Sequence, residues 1–279
     1  MILRNGGNGV DRWAFAGLQA LPGVRHGVFT RRGGTSPAPF DSLNVGLGVG
    51  DDEGRVAANR ERVAAAMGGG VLIRARQVHG TAVHVVTDRE DPAGPAQADA
   101  LVTDIPGRLL MIQVADCQPV LLADPRCRVV AAVHAGWRGS VGNVIGATVG
   151  LMRRRFGVRP ESLWAAIGPS LGPCCGEFVN YRREIPPDLW RFRVGPVHFD
   201  FWAVSRFQLL EAGLDPARIE AAGVCTRCRP ETFFSYRREG TTGRFAAVIG
   251  LDGKDASRCA GPRGGPTGLA ASAQLGEER

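Results

Sequence analysis

The chain has 279 residues, 44% of them hydrophobic and 22% charged, which is ordinary for a globular protein with a real core. Its formal charge of +7 comes from arginines that are scattered apart from the run at 153–155, so a nucleic-acid surface is not indicated. No apolar run approaches the roughly 18 residues that a membrane span needs, and no signal peptide is recognisable. We therefore expect a cytoplasmic protein without a membrane or nucleic-acid partner.

The apolar pattern predicts many short strands and a few helices. Strands are predicted at 25–30, 71–78, 83–86, 99–103, 109–115, 120–123, 129–133, 163–167, 219–222 and 245–251. Helices are predicted at 52–67, 140–156 and 200–212, with Ser140 and Asp200 as N-caps. Because strands outnumber helices and short connections join many of them, we expect an α+β fold, a single domain of mixed β-sheets with outer helices.

Composition also suggests where this domain begins and ends. Residues 1–23 are interpreted as an N-terminal extension with a frayed start, and residues 24–251 as the main domain. Residues 252–279 are rich in glycine, alanine, serine, proline and charge, which favours a disordered C-terminal tail. No linker divides the main domain, so one functional unit is expected.

Polar side chains that bind soft metals follow the ends of three predicted strands. Cys117 follows the strand at 109–115, His134 follows 129–133, and His79 follows 71–78. A polar residue at a strand end can face a cleft while the strand itself stays buried. If these strands are neighbours, the three side chains will meet.

This set of residues supports two kinds of chemistry. Two imidazoles and a thiolate suit zinc, and three protein ligands leave a fourth position for water or substrate, as in catalytic zinc sites. Alternatively, Cys117 is a nucleophile that His134 activates and that Asp116 or another carboxylate orients. The residues alone leave both interpretations open.

A further alternative is a structural zinc site made of four cysteines. Cys225-x-x-Cys228 is a half-site with the usual spacing, and Cys174 and Cys175 would supply the other two ligands. Adjacent cysteines are an unusual pair for one ion, so this interpretation is weaker than the first two. Five histidines are too few for a conventional multicopper cluster.

Several stretches resemble one known family, the YfiH-type proteins, also called laccase-domain or multicopper polyphenol oxidoreductase proteins. Ala115-Asp-Cys117 together with His134-Ala-Gly-Trp-Arg-Gly139 is highly specific for it. The other matching stretches are 29–36, 42–44, 59–60, 77–80, 99–103, 118–122, 167–170, 172–175 with Glu177, 235–238 and 242–244. The resemblance covers about residues 24 to 251 in order.

The resemblance implies an α+β domain and a zinc ion held by His79, Cys117 and His134, with copper as the older claim. It implies purine nucleosides and phosphate as substrates, through phosphorolysis of adenosine, inosine, guanosine and methylthioadenosine, together with adenosine deaminase activity. Two alternatives also come from the family. One is a Cys/His hydrolase that edits peptidoglycan precursors, and the other is a copper polyphenol oxidase. The oligomeric state is not implied.

Roles for other residues follow from this expectation. We assign Arg31 and Arg138, which lie in glycine-rich loops, to phosphate binding, because such loops combine guanidinium groups with free N–H groups. We also assign Asn44 to the substrate side. Asp116 and Glu177 are candidates for acid–base catalysis or for holding a zinc-bound histidine. The chain departs from the family at Gly176, where tyrosine is usual, at Ser205, where asparagine is common, and over 181–199.

Overall fold

Two six-stranded β-sheets pack face to face in a computed structural model that describes residues 2–5, 9–88 and 95–253. The strands are β1 (Ile2–Asn5), β2 (Asp11–Ala14), β3 (Val24–Phe29), β4 (Val71–Ile73), β5 (Val83–Val85), β6 (Ala100–Thr103), β7 (Arg108–Val114), β8 (Gln118–Asp124), β9 (Val129–Ala135), β10 (Trp164–Ile167), β11 (Ile219–Ala221) and β12 (Phe245–Leu251). The helices are α1 (Ala16–Gln19), α2 (Glu53–Ala66), α3 (Trp137–Val141), α4 (Val144–Phe156), α5 (Tyr181–Glu184), α6 (Phe201–Glu211) and α7 (Tyr236–Glu239).

Both sheets are mixed, which confirms the predicted α+β class. The first has the order β1-β2-β3-β12-β7-β4, and only the β4–β7 pair is parallel. The second has the order β11-β10-β8-β9-β6-β5, with parallel pairs at β10–β11 and β5–β6. In the β8–β9 ladder Pro119 pairs with His134, so the turn before β8 lies beside the end of β9.

The alternation of side chains along each strand divides the core into layers. On β7, Leu110, Ile112 and Val114 point between the sheets, whereas Leu109 and Met111 point outward, toward α2. The outer face of the second sheet packs in the same manner against α4 and α6. The central strands of each sheet are therefore buried on both faces, which explains why they appear in the sequence as continuous apolar runs.

The helix predicted at 140–156 is wrong in one respect, because the chain breaks there into α3 and α4. Asn143 adopts a left-handed conformation with φ of 59°, and its side chain accepts a hydrogen bond from the amide of Gly146. Asparagine tolerates this conformation and caps helices well. Ser140 is thus a buried residue within α3, and Gly136 occupies the N-cap position before it. Gly136 alone separates the end of β9 at Ala135 from the start of α3 at Trp137.

Other boundaries differ more modestly from the prediction. The strand at 71–78 ends at Ile73, and an irregular segment continues to His79. Strands β1 and β2, which the sequence did not predict, extend the first sheet beside β3. The predicted tail falls outside the described residues apart from 252–253, where the Asp252 amide donates to Gly23 O at 2.9 Å. Among the described residues, no helix is long and apolar enough to cross a bilayer.

Candidate metal centre

His79, Cys117 and His134 converge at one end of the second sheet. Their ligand atoms all lie within 4.8 Å of one another, and Cys117 Sγ is 3.7 Å from His79 Nε2. A tetrahedral zinc ion with ordinary bond lengths holds a sulfur and a nitrogen about 3.6 Å apart. His134 is buried, Cys117 is half-buried and His79 is exposed, so the centre opens to solvent on one side. The arrangement has the donor set and spacing of an open three-ligand zinc site.

Asp99 fixes the orientation of both histidines. His134 Nδ1 donates to Asp99 Oδ1 at 2.7 Å, which leaves Nε2 facing the other ligands. The same carboxylate accepts hydrogen bonds from the backbone amides of Val78, His79 and Gly80 at 3.2, 2.9 and 2.7 Å. A carboxylate behind a metal-binding histidine is the usual second partner in such sites, and it sets the tautomer.

Gly136 provides the space beside the three ligands. A Cβ atom at this position would lie 2.7 Å from His79 Cδ2, 3.3 Å from Cys117 Sγ and 3.6 Å from His134 Cε1. Any larger residue would therefore displace a ligand or occupy the position where they converge. This close approach explains why the strand-to-helix junction after β9 requires glycine, and it leaves room for a metal ion beside the three ligands.

Backbone strain also concentrates here. His79 and Asp116 have positive φ angles of 60° and 85°, and they are two of four such non-glycine residues in the described part of the chain. These conformations cost on the order of 1–3 kcal/mol each and persist where surrounding contacts enforce them. At His79 these contacts are the hydrogen bonds that the backbone amides of residues 78–80 donate to the Asp99 carboxylate. At Asp116 they are the hydrogen bonds that its own carboxylate accepts, which are described below.

The side chains stabilise an ionised thiol in the metal-free protein. Burial opposes ionisation of Cys117, but hydrogen bonds from His134 and His79 outweigh it and lower the pKa of the thiol to about 6. Burial also opposes the charged form of His134 and by itself would lower its pKa. The hydrogen bonds of His134 to Asp99 and Cys117 outweigh burial and raise that pKa to about 9. The thiolate is the form that binds metals and also the form that attacks electrophiles, so this feature serves both kinds of chemistry.

Asp116 anchors the turn that presents Cys117. Its Oδ1 accepts hydrogen bonds from the hydroxyls of Thr226 and Ser235 at 2.6 and 2.7 Å, and its Oδ2 accepts from the Arg237 amide at 2.6 Å. Both carboxylate oxygens therefore have partners from distant parts of the chain. These hydrogen bonds hold Asp116 and the turn before Cys117 in place.

A cavity of about 580 Å³ opens in front of the three ligands. Its walls include four aromatic side chains, two arginines, three glutamines and the Leu47–Val49 loop. These aromatic and polar residues are Trp137, Phe178, Phe201, Tyr236, Arg237, Arg244, Gln77, Gln113 and Gln118. Drug-sized and cofactor-sized ligands occupy cavities of about 300–1,000 Å³ with mostly apolar walls and a few polar groups.

The structure places the predicted phosphate-binding arginines elsewhere. Arg31 is 9% exposed, and its guanidinium pairs with Glu239 at 2.7 Å and Asp41 at 3.3 Å, away from this cavity. Arg138 is exposed and stacks on the Trp137 ring at 4.2 Å. Neither side chain lines the cavity, because Arg31 is committed to ion pairs and Arg138 points to solvent from α3.

Asn44 and Glu177, which the sequence also predicted as site residues, lie outside the cavity but form hydrogen bonds with arginines that line it. Asn44 is fully buried, and its Oδ1 accepts from the amides of Gly46 and Arg244 at 2.9 and 2.8 Å. It thereby positions one cavity-lining arginine without lining the cavity itself. Glu177 is exposed and outside the cavity, although its carbonyl accepts from Arg237 Nη1 at 3.2 Å.

The cavity contains functional groups that the sequence did not predict. Arg237 and Arg244 lie in the Ser235–Arg238 and Thr242–Arg244 stretches, which the sequence marks only by resemblance. Gln113 Oε1 and Gln118 Nε2 are buried and lack a hydrogen-bond partner among the described residues. A buried polar atom without a partner costs about 1–3 kcal/mol, so these two side chains carry unused hydrogen-bonding capacity next to the cavity that both residues line.

Comparison with known proteins agrees with this geometry. A family model described as "Multi-copper polyphenol oxidoreductase laccase" matches residues 25–252. The chain belongs to the YfiH-type laccase-domain family. Among its relatives, a Deinococcus radiodurans protein named purine nucleoside phosphorylase is 42% identical over 240 residues, which cover 82% of this chain and 89% of that protein. The purine nucleoside phosphorylase YfiH of Escherichia coli K12 is 37% identical over 231 residues, 80% of this chain and 91% of that protein.

Solved structures in the YfiH-type family share the whole fold. YlmD from Geobacillus stearothermophilus superposes with a TM-score of 0.79 at 36% identity, covering 90% of this chain and 99% of that one. The hypothetical protein YfiH of Bacillus licheniformis gives a TM-score of 0.80 at 31% identity, with the same coverage. The two-sheet architecture is therefore that of the family.

The departures from the family pattern differ in their relation to the cavity. Gly176 lines it, and a Cβ there would lie 2.7 Å from the Phe199 carbonyl oxygen, so this chain has no room for a side chain at that position. The hydroxyl of Ser205 bonds to Gln118 Oε1, which orients a cavity-lining amide. The arginine-rich and proline-rich segment 181–199 packs around Tyr181 and Phe199 outside the cavity.

Proposed function

We propose that the protein is a zinc-dependent purine nucleoside phosphorylase that accepts adenosine, inosine, guanosine and methylthioadenosine. One observation carries the proposal: a single cavity joins the His79–Cys117–His134 centre, aromatic walls, unpartnered amides and two arginines. These are the groups that a purine, a ribose and a phosphate require. Relatives of this chain carry the name purine nucleoside phosphorylase, which supports the same reaction.

The purine ring would stack on the aromatic walls. Trp137, Phe178 and Phe201 form a group of neighbouring rings, with Phe178 centred 6.1 Å from Trp137 and 5.1 Å from Phe201. Tyr236 is 59% exposed at the opening, where it is free to cover a bound base. Stacking of this kind tolerates different bases, because every purine presents a similar face.

The polar edge of the base would bond to the buried amides. Gln113 and Gln118 both line the cavity, and a rotation of either side chain would turn its unpartnered atom, Gln113 Oε1 or Gln118 Nε2, toward a bound base. Adenine presents an exocyclic amine, whereas hypoxanthine and guanine present a carbonyl group. A glutamine amide carries both donor and acceptor groups, so one pair of glutamines can serve all these bases.

Phosphate would bind on the arginine side of the cavity. Arg244 is partly buried over the Tyr236 ring at 5.8 Å, and its Nη1 donates to the carbonyls of Thr242 and Gly243 at 2.8 and 3.0 Å. These bonds fix the guanidinium, while its other N–H groups stay available to an anion. Arg237 is held similarly through the carbonyls of Cys175 and Glu177. Guanidinium groups bind phosphate with strong, bidentate geometry.

The metal assignment rests on the donor set and on the fit of the residues around it. When bound to His79, Cys117 and His134, a zinc ion supplies a Lewis acid that stabilises negative charge. Asp99 keeps His134 in the tautomer that directs Nε2 toward the ion, and Gly136 leaves the space free. The His₂Cys set also suits copper, but no described methionine lines the cavity to complete an electron-transfer copper site.

In the proposed reaction a phosphate oxygen bonds to C1′ of the ribose as the C1′–N9 bond breaks. The bonding electron pair leaves with the purine, which takes up the proton that the attacking phosphate loses, and the products are the free base and ribose 1-phosphate. Arg237 and Arg244 would hold the phosphate for attack, and Gln113 and Gln118 would hold the base. The aromatic walls would exclude water, which otherwise competes with phosphate for C1′.

Adenosine deamination belongs to the proposal as a secondary activity, since it needs a water nucleophile beside the metal. Asp116 is the one carboxylate among the described cavity-lining residues, and both its oxygens already accept hydrogen bonds. We therefore propose that phosphorolysis dominates. A Cys/His hydrolase is the second candidate, because Cys117 is a thiolate beside a protonated His134 in the metal-free protein.

The test combines metal analysis with product analysis. Purified protein is incubated with each of the four nucleosides, with and without phosphate, and bases, ribose 1-phosphate and inosine are quantified. We expect phosphate-dependent base release that a chelator abolishes and zinc restores. Base release that needs neither phosphate nor zinc, together with inactivation by iodoacetamide, would instead favour the cysteine hydrolase. Copper with oxygen uptake on phenols would establish the oxidase.

A further inference from the structure

A second cluster of sulfur ligands lies behind the wall of the cavity, and it is not part of the proposed active site. Cys174, Cys175, Cys225 and Cys228 bring their four Sγ atoms within 4.8 Å of one another, and all four are free thiols. Cys175 and Cys225 are buried, and Cys174 and Cys228 are exposed. We propose that these four cysteines bind a structural zinc ion.

Two of the six sulfur–sulfur distances match those around a tetrahedral zinc ion, and the others are no longer than 4.8 Å. Cys228 Sγ lies 3.7 Å from Cys174 Sγ and 3.6 Å from Cys175 Sγ. Four sulfurs placed about 2.3 Å from a central zinc are separated by about 3.8 Å along each edge of the tetrahedron. A closed set of four thiolates is the typical structural zinc site, with no open position for a substrate. This distinguishes the cluster from the three-ligand centre.

Local backbone geometry explains how adjacent cysteines can serve one ion. In an extended strand Cys174 and Cys175 would point to opposite faces. Here they lie in a tight turn, in which the Cys175 amide donates to Gly172 O at 2.9 Å, and both side chains reach Cys228. Cys225 and Cys228 lie in a second turn with the two-residue spacing that zinc sites favour. The two turns face each other as the halves of a site.

Hydrogen bonds to the sulfurs provide an independent observation. The Gly172 amide donates to Cys225 Sγ at 3.3 Å, and Arg227 Nη1 donates to Cys175 Sγ at 3.5 Å. Donors directed at sulfur stabilise thiolate charge and orient first-shell ligands. A zinc ion with four thiolates carries a net charge of −2, and the nearby Arg227 guanidinium offsets part of it.

The ion would connect two segments on which the cavity depends. One segment, 170–178, contributes Ser170, Gly176 and Phe178 to the cavity wall. The other contains Thr226, whose amide donates to Ser170 O at 3.0 Å and whose hydroxyl bonds to Asp116 beside Cys117. Zinc at the four cysteines would hold both segments in place and thereby support the turn that presents Cys117.

The experiment counts zinc ions in the full-length protein and in two double variants. We expect two zinc ions per chain in the wild type, one in His79→Ala/His134→Ala, and one in Cys225→Ser/Cys228→Ser. Cobalt replacing zinc in the His79→Ala/His134→Ala variant reports the ligand type, because four thiolates give intense sulfur-to-cobalt charge-transfer bands. A single zinc ion in the wild type that disappears in His79→Ala/His134→Ala would overturn the proposal.

A second measurement needs no substitution at the cluster, in case the cysteine variant does not fold. Wild-type protein is alkylated with iodoacetamide under native conditions before and after treatment with a chelator, and the modified cysteines are mapped by mass spectrometry. We expect the exposed Cys174 and Cys228 to resist alkylation until zinc is removed. Ready alkylation in untreated protein, or disulfides joining the four cysteines, would contradict a zinc site.

Discussion

His134 Nδ1 donates a 2.7 Å hydrogen bond to Asp99 Oδ1, and Asp99 also accepts the backbone amide of His79. One buried carboxylate therefore orients both candidate histidine ligands, one through its ring and the other through its backbone. Asp99 ends the loop before β6, whereas the histidines come from β9 and from the segment after β4. The metal centre thus depends on a residue that touches none of the metal-binding atoms.

Replacing Asp99 with asparagine tests this dependence. The Asp99→Asn variant keeps the size of the side chain but removes its charge and replaces one of its two acceptor oxygens with an NH₂ donor, so its hold on His134 and on the backbone amides of residues 78–80 is weakened. We expect zinc affinity at the three-ligand centre to fall on the order of 10- to 100-fold. Competition with a fluorescent chelator measures this affinity in the Cys225→Ser/Cys228→Ser background, where the second cluster does not interfere.

The matched control for that variant is Asp188→Asn. Asp188 is exposed and remote from the centre, so its removal also subtracts one negative charge without touching His134. Its zinc affinity should equal that of the unmodified background. Equal losses in both variants would mean that overall charge, and not the Asp99 contact, controls binding.

Zinc affinity at the same centre should also depend on pH. The pKa of His134 is raised to about 9 and that of Cys117 is lowered to about 6, so between these values zinc displaces one proton from His134 and none from Cys117. Affinity should therefore rise about tenfold per pH unit over this range and level off near pH 9. Below pH 6 the dependence should steepen, since Cys117 must lose a proton as well. Titrations at several pH values in buffers of equal ionic strength check the slope, and a flat profile would refute the assigned protonation states.

Adding one methyl group at Gly136 should disrupt the centre without unfolding the protein. Gly136 has φ of −68°, which alanine adopts readily, so the effect of Gly136→Ala is confined to crowding of His79 and Cys117. We expect a loss of zinc and activity with a melting temperature close to that of metal-free wild type. Gly150→Ala on α4 is the control, because its Cβ would meet only the flexible Arg154 guanidinium. Unchanged zinc content in Gly136→Ala would argue against convergence of the three ligands.

The arginines predicted from the sequence and those found in the cavity can be separated by kinetics. Arg244→Gln removes a charged donor from the proposed phosphate side, so we expect the KM for phosphate to rise on the order of 10- to 100-fold. Arg31→Gln breaks ion pairs with Glu239 and Asp41, and we expect mainly a lower melting temperature. Arg155→Gln, at an exposed helix end, is the control. A large rise in this KM for Arg31→Gln alone would reverse the assignment.

The sequence predicted much of the scaffold, because buried strands produce unmistakable apolar runs. Strand β12 has the predicted bounds, and α6 begins after Asp200, which caps it as expected. Strand ends also identified His79, Cys117 and His134 as residues that could meet, and the β8–β9 register brings two of them together. A local sequence pattern is enough to predict a structural feature when its residues strongly prefer that structure, as apolar runs prefer buried strands and aspartate prefers the helix N-cap.

Other features were not predictable because they depend on distant contacts. The break between α3 and α4 arises from the left-handed Asn143, and the helical pattern of apolar residues runs across it without interruption. Arg31 resembles an anion-binding residue until the fold supplies Glu239, over two hundred residues away, as its partner. Gln113 and Gln118 acquire significance only from the absence of partners in the described structure, which no sequence pattern records.

The most direct test of the central claim is the ratio of ribose 1-phosphate to free purine base, adenine plus hypoxanthine, after incubation of the zinc-loaded protein with adenosine and phosphate. We predict a ratio of one, no base release without phosphate, and loss of both products in Cys117→Ala. Adenine released with free ribose, inosine as the main product, or turnover retained in Cys117→Ala would contradict a zinc-dependent phosphorylase.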